Sequence, residues 1–172
     1  MLLGLGLLYV GAVLVLNGLW LLGNIEDREI VVVNVVSGTI TLFVSLFWAF
    51  SSGANDGSIK GAALTLLFTA TYFWVAYNRF SKVDGRGLGW FSLFVAITVA
   101  PVAVQSLQTA TNPIGVWMGW NWVGWGLLWF CYFLLLAMKQ PILRFTGAFT
   151  VLIGIVTGWV PGLSLLQGWV HP

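Results

Sequence analysis

Long apolar stretches separated by short polar clusters run the whole length of the chain, and the clusters carry nearly all of its turn formers and charges. The apolar stretches cover residues 2–22, 30–50, 62–77, 88–107, 116–138 and 142–169. Each approaches or exceeds the roughly 20 residues that a helix needs to cross a hydrocarbon layer about 30 Å thick. The pattern predicts an all-α integral membrane protein, a six-transmembrane-helix bundle forming one polytopic domain over residues 1–172. The third stretch is short unless it borrows Ile59-Lys60-Gly61, and the last is long enough to tilt or to bend at Pro161. Turn-forming or charged connections fall at residues 24–28, 51–58, 78–87 and 109–113, and Lys139-Gln140-Pro141 ends one helix and starts the next. The first stretch lacks a basic n-region and a small-residue cleavage site, so it is expected to be a retained helix.

Charge fixes the expected orientation. No apolar stretch holds Asp, Glu, Lys, Arg or His near its middle. With alternating connections, Arg28, Arg79, Lys82, Arg86, Lys139 and Arg144 fall on one side and Lys60 stands alone on the other. The positive-inside rule makes the first side cytoplasmic, in a bacterial cytoplasmic (inner) membrane, with both termini and His171 facing outward. An odd number of spans would scramble that asymmetry. Hydrophobic residues make up 59% of the chain and charged residues 7%, with a mean hydropathy of +0.96, which excludes a soluble domain of any size. The basic residues behind the net charge of +2 are scattered, so no nucleic-acid partner is expected. The single cysteine, Cys131, lies in an apolar stretch; it implies packing, with no disulfide framework and no metal pair. No strong internal repeat is visible.

These residues narrow the chemistry. An enzyme needs a nucleophile with a base, or a metal cluster, and here the acids are all in connections and the only histidine is penultimate. The chain is therefore read as no enzyme, with no cofactor and no metal. An ion-coupled carrier or an ion channel needs buried carboxylates, unwound helices or rings of charge, and the carboxylates are missing. Passive passage of an uncharged polar solute remains.

The spans offer such a solute neutral polar groups together with eleven Trp, twelve Phe and four Tyr. In the fifth span, Trp122, Trp125 and Trp129 fall within about 60° on a helix turning about 100° per residue, and Met118 shares the stripe. Trp117 and Trp120 suit an aromatic belt at the membrane interface; Trp125 and Trp129 lie too deep for one, and suit a pore wall or a packing face. In the third span Phe68, Thr71 and Tyr72 share a face with Thr65 nearby, where hydroxyls serve either a solute or their own backbone. In the first, Leu3, Leu7 and Leu14 fall within about 40°, which by periodicity alone suggests lipid contact or packing. Aromatic walls would sandwich a flat amide or urea, while ions would lose hydration without compensation.

The chain also resembles the AmiS/UreI family, which holds an acid-activated urea channel and transporters encoded beside aliphatic amidases. The resemblance is carried by Leu7-Leu8-Tyr9-Val10-Gly11, residues 68–72, Trp90-Phe91-Ser92-Leu93-Phe94-Val95-Ala96-Ile97, Trp125-Gly126-Leu127-Leu128-Trp129 and Thr157-Gly158-Trp159-Val160-Pro161. It implies six helices with outward termini, a homo-hexamer with one pore per protomer, and a lipid-filled central hole. It also implies that Leu3, Leu7, Leu14, Phe68, Thr71, Tyr72, Trp122, Trp125, Leu128 and Trp129 match the urea channel's two constrictions, which promotes the leucine stripe to a pore wall. The chain departs from the urea channel in its short outer connections without histidines, in Met118 where a stripe tryptophan is matched, and in Ile153 where a membrane carboxylate is matched. Those departures place it nearer the amidase-linked branch and argue against acid gating. The expectation is thus an ungated passive channel for small neutral amides and urea, with a functional link to a cytoplasmic amidase or urease. The competing expectations are a non-transporting membrane scaffold or accessory subunit, and a proton-coupled amide carrier.

Overall fold

A stretch of apolar side chains twenty residues long can satisfy its own backbone N–H and C=O groups without water only as a helix, and the chain does this six times. In the computed structural model, which describes residues 1–170, these are α1 (Leu2–Leu21), α2 (Ile30–Phe50), α3 (Asp56–Ser81), α4 (Arg86–Thr109) and α5 (Pro113–Leu136), and a sixth in three parts. Its parts are α6 (Leu143–Ile153), a π-helical segment (Gly154–Trp159) and α7 (Val160–Leu166). All six are long and apolar enough to cross a membrane. His171 lies outside the described residues.

The ends of the helices obey capping chemistry rather than hydropathy. The third helix, expected over 62–77, instead begins at Asp56 and reaches Ser81. Asn55 Oδ1 accepts from the Ser58 N–H at 3.1 Å while the Asn55 N–H donates to Ser58 Oγ at 2.9 Å, a reciprocal cap that makes the polar first turn helical. Lys60, on the second turn, donates to Gln105 Oε1 of α4 at 2.5 Å. Likewise α5 starts at Pro113, with the Gly115 N–H capped by Asn112 Oδ1 at 2.7 Å, and it stops at Leu136, short of the expected 138. Among the described residues, charged side chains lie only in connections or within the first two or last two turns of helices.

The helices form a ring in chain order, closed where α1 packs against α6, the π-helical segment and α7. Glycine makes that closure possible. A Cβ on Gly158 would lie 2.4 Å from the Gly11 backbone, and one on Gly11 would lie 2.2 Å from the Trp159 nitrogen. Gly4, Gly18, Gly147, Gly154 and Gly162 continue the same seam, so the two backbones touch, as small residues permit in membrane helices. Buried polar pairs tie neighbouring helices: Asn17 with Asn34, Thr69 with Thr41, and Ser37 with the Tyr9 carbonyl.

The outer surface of the ring is apolar, with Val32, Phe43, Phe47, Ile97 and Leu152 exposed. The tryptophans divide accordingly. Trp120 is 60% exposed, as an interfacial belt residue would be, whereas Trp125 and Trp129 are 4% and 5% exposed inside the ring.

The break in the sixth helix has a covalent cause. Pro161 has no N–H, so the Thr157 carbonyl loses its usual helical donor four residues on. The Asn121 side-chain amide of α5 supplies a donor to that carbonyl at 3.3 Å.

Candidate functional site

Three helices send their stripes into the ring. From α1 come Leu3, Leu7 and Leu14; from α3, Phe68, Thr71 and Tyr72; from α5, Met118, Trp122, Trp125, Leu128 and Trp129. Leu3, Thr71, Met118 and Trp122 are half-buried and the others are buried, and none of the set turns out toward lipid.

Phe68 is the centre of the aromatic group. Its ring lies 4.6 Å from Trp129, 4.9 Å from Trp125 in an edge-to-face pair, 6.2 Å from Trp122 and 6.3 Å from Tyr72. Trp122 and Trp125 also meet edge to face at 4.9 Å. Such geometries favour contact over a flat stack, so the rings brace one another.

This layer separates two cavities. One, of about 220 Å³, lies toward the N-terminal end of α1 and is lined by Leu3, Leu7, Val10, Thr41, Met118 and Trp122. The other, of about 30 Å³, lies toward the opposite end and is lined by Leu14, Asn17, Thr71, Tyr72, Leu128 and Trp129, with Ser92 and Tyr132 behind them. Phe68 and Trp125 border both. The smaller chamber has room for about two waters, and its wall is almost entirely carbon. The leucine stripe of α1 therefore spans both chambers, with Leu3 and Leu7 on the larger and Leu14 on the smaller.

The polar groups on these walls are mostly committed. Trp125 Nε1 donates to Thr157 Oγ1 of the π-helical segment at 2.7 Å, and the Thr157 hydroxyl donates to the Ile153 carbonyl at 2.6 Å. Trp129 Nε1 donates to Thr71 Oγ1 at 3.2 Å, and Thr71 donates to the Leu67 carbonyl at 2.8 Å. Both indole N–H groups and the Thr71 proton are thus spent within the protein, the Thr71 hydroxyl on its own backbone. The Tyr72 hydroxyl is different: it is buried and has no partner.

Four participants escape stripe-based reading. Thr157 in the helix break accepts from Trp125, Asn121 of α5 donates to the Thr157 carbonyl, and Asn17 and Tyr132 border the smaller, inner chamber. Asn17 carried one signal, a lone amide in an otherwise apolar span; such a residue in a membrane helix faces the bundle interior. Among the described residues no cluster of His, Cys, Asp and Glu is arranged to hold a metal.

At the end of the ring nearest the small chamber, charges link the connections. Arg79 lies 3.6 Å from Asp27 and over the Trp20 ring, and Lys139 Nζ donates to the Asp84 carbonyl at 3.2 Å. The Arg86 N–H donates to Asp84 Oδ1 at 3.0 Å; together with the nearby Arg86 and Lys139 charges, this holds the Asp84 carboxyl below the usual carboxylate range.

Residues 2–169 match the profile of the AmiS/UreI family transporters. The chain is similar to a Mycolicibacterium smegmatis protein named as an amidate-substrates transporter, at 37% identity over 96% of this chain and 76% of the other. It is also similar to the acid-activated urea channel of Helicobacter pylori, at 32% identity over 98% of this chain and all of the channel. The cryo-EM structure of the Helicobacter pylori urea channel in a closed state superposes with a TM-score of 0.85 at 33% identity, covering 98% of this chain and 100% of that one.

Proposed function

The chain belongs to the AmiS/UreI family of transporters, a multi-pass membrane protein, and we propose that each protomer passes urea and small neutral amides down their own gradient through the aromatic-lined gap between α1, α3 and α5. One observation carries the reading: two chambers lie on either side of the Phe68 layer inside a ring whose charged side chains all sit at its ends. A flat neutral molecule gives up a few hydrogen bonds on entering such a gap and gains contact with ring faces. An ion gives up a hydration shell worth several kcal/mol or more and meets no ligand that replaces it. The missing charge is the selectivity device.

The same reading places the Arg28, Arg79 and Lys139 end of the ring in the cytoplasm, both termini outside, and the protein in a bacterial inner membrane. The exposed apolar faces of the ring suit lipid and neighbouring copies in a hexamer. Passage is ungated, because the two connections on the outer side, residues 51–55 and 110–112, are short and free of histidine. Solute delivered to the cytoplasm would feed an amidase or a urease.

Stopped-flow light scattering on proteoliposomes with urea, formamide, acetamide and glycerol tests this. Acceleration of the amides and urea over empty vesicles is expected. Acceleration of none would favour a membrane partner without transport, and flux that follows an imposed pH gradient would favour a proton-coupled carrier.

A further inference from the structure

Asn17 and Asn34 form a closed pair of primary amides between α1 and α2. Asn34 Nδ2 donates to Asn17 Oδ1 at 2.7 Å, and Asn17 Nδ2 donates back to Asn34 Oδ1 at 3.1 Å. The second N–H of Asn34 goes to the Ile30 carbonyl at 2.9 Å. A carbonyl only accepts, so this bond fixes which way round the Asn34 amide lies, and the pairing then fixes Asn17. The two partners end unequal: Asn34 has spent both hydrogens, and Asn17 has spent one. Asn17 is also the member that borders the inner chamber.

The other donors around that chamber are occupied. Ser92 donates to the Leu88 carbonyl and Thr71 to the Leu67 carbonyl. Thr150 gives its proton to the Thr146 carbonyl, which makes Tyr132 the donor of the Tyr132–Thr150 pair. The Trp125 and Trp129 N–H groups are bound as described above. Two donors are left: the second N–H of Asn17 and the Tyr72 hydroxyl, which has no partner at all.

We infer that Asn17 and Tyr72 form a station that receives the carbonyl oxygen of a passing amide or urea in the inner chamber, with Asn34 as the positioning residue that holds Asn17 in register. This rests on the amide-passage reading above. The station explains why α1 buries an amide where leucine would pack more cheaply, and why a tyrosine hydroxyl is left unpaired among carbon. Its free hydrogens seek an acceptor, so it suits a carbonyl and offers a cation no charged ligand.

The test is stopped-flow urea and acetamide flux beside water flux in proteoliposomes. Tyr72→Phe removes an atom without partners, so the fold is kept; a fall of about three- to tenfold in urea flux is expected, with water flux changed by less than about twofold. The double variant Asn17→Leu/Asn34→Leu removes both amides together and leaves no orphaned partner; the same loss is expected. An unchanged urea-to-water ratio in Tyr72→Phe overturns the station while wild-type conduction stands, and the Tyr72→Phe arm decides alone if the double variant does not assemble. Wild-type protein that conducts neither amide nor urea overturns both the passage reading and the station.

Discussion

Thr157→Val probes the contribution of the broken sixth helix, because valine keeps the shape of threonine and deletes only the hydroxyl, which accepts from Trp125 and donates to the Ile153 carbonyl of its own helix. The indole N–H of Trp125 then loses a 2.7 Å acceptor in a site 4% exposed. Leaving a buried donor unpaired costs about 1–3 kcal/mol. Opposing its escape are two edge-to-face contacts, to Phe68 and Trp122, each with centroids at 4.9 Å. Contacts of that kind contribute about 0.5–1.5 kcal/mol each beyond burial. The two sums are comparable, so the ring that borders both chambers changes from one held orientation to two of similar energy. Expected are a loss of about 1–3 kcal/mol in stability and a change in the acetamide-to-urea flux ratio of about fivefold or more. Thr157→Ser, which restores the oxygen, should return the ratio to the wild-type value. Thermal unfolding in detergent, followed by size-exclusion chromatography, measures the first effect, and stopped-flow scattering measures the second. If Thr157→Val assembles normally and keeps the wild-type ratio, the orientation of Trp125 does not depend on the π-helical segment.

Trp129→Ala removes a buried ring 4.6 Å from Phe68 and should alter amide flux, with the oligomer intact by native electrophoresis; unchanged flux and selectivity would take Trp129 out of the passage. Gly158→Ala drives a methyl to 2.4 Å from the Gly11 backbone, and since backbone cannot yield as a flexible side chain does, a loss of at least about 1–3 kcal/mol and poor recovery of folded protein are expected. Asp84 has its carboxyl pKa lowered in the folded protein, first by the Arg86 backbone N–H, so its contribution is complete above the ordinary carboxylate range and is lost only as pH falls below it. Flux should therefore stay level between about pH 7.5 and about pH 5, and His171→Ala should not change that profile; a pH response in wild type that His171→Ala abolishes would contradict ungated passage.

Hydropathy located the helices because each span had to satisfy its backbone alone, a requirement local to the span. It misplaced the start of α3 because the Asn55–Ser58 cap is polar, and capping continues a helix beyond the part that lipid covers. The Trp122, Trp125 and Trp129 stripe was legible for the same local reason: helical periodicity decides which residues share a face. Two things were not local. The glycine seam needs Gly11 and Gly158 to meet, and neither helix alone says which glycines its partner will touch. The hydrogen bonds of Trp125 depend on Thr157 in another helix, and that helix presents Thr157 through a break that only Pro161 signals.

This non-local part changes what the aromatic layer can do. An indole with a free N–H would seize a carbonyl and hold it, whereas Trp125 and Trp129, their N–H groups tied to Thr157 and Thr71, present faces and edges only. In the proposed passage the layer would then sort by shape, and the flatness of an amide or urea would matter more there than its hydrogen bonds. Polar recognition, in the proposed station, would fall to the side of the layer where donors remain. Separating the two tasks keeps either from binding too tightly: a solute bonded firmly at the narrowest point would block the next, and a passage conducts only when entry is favourable and escape is easy.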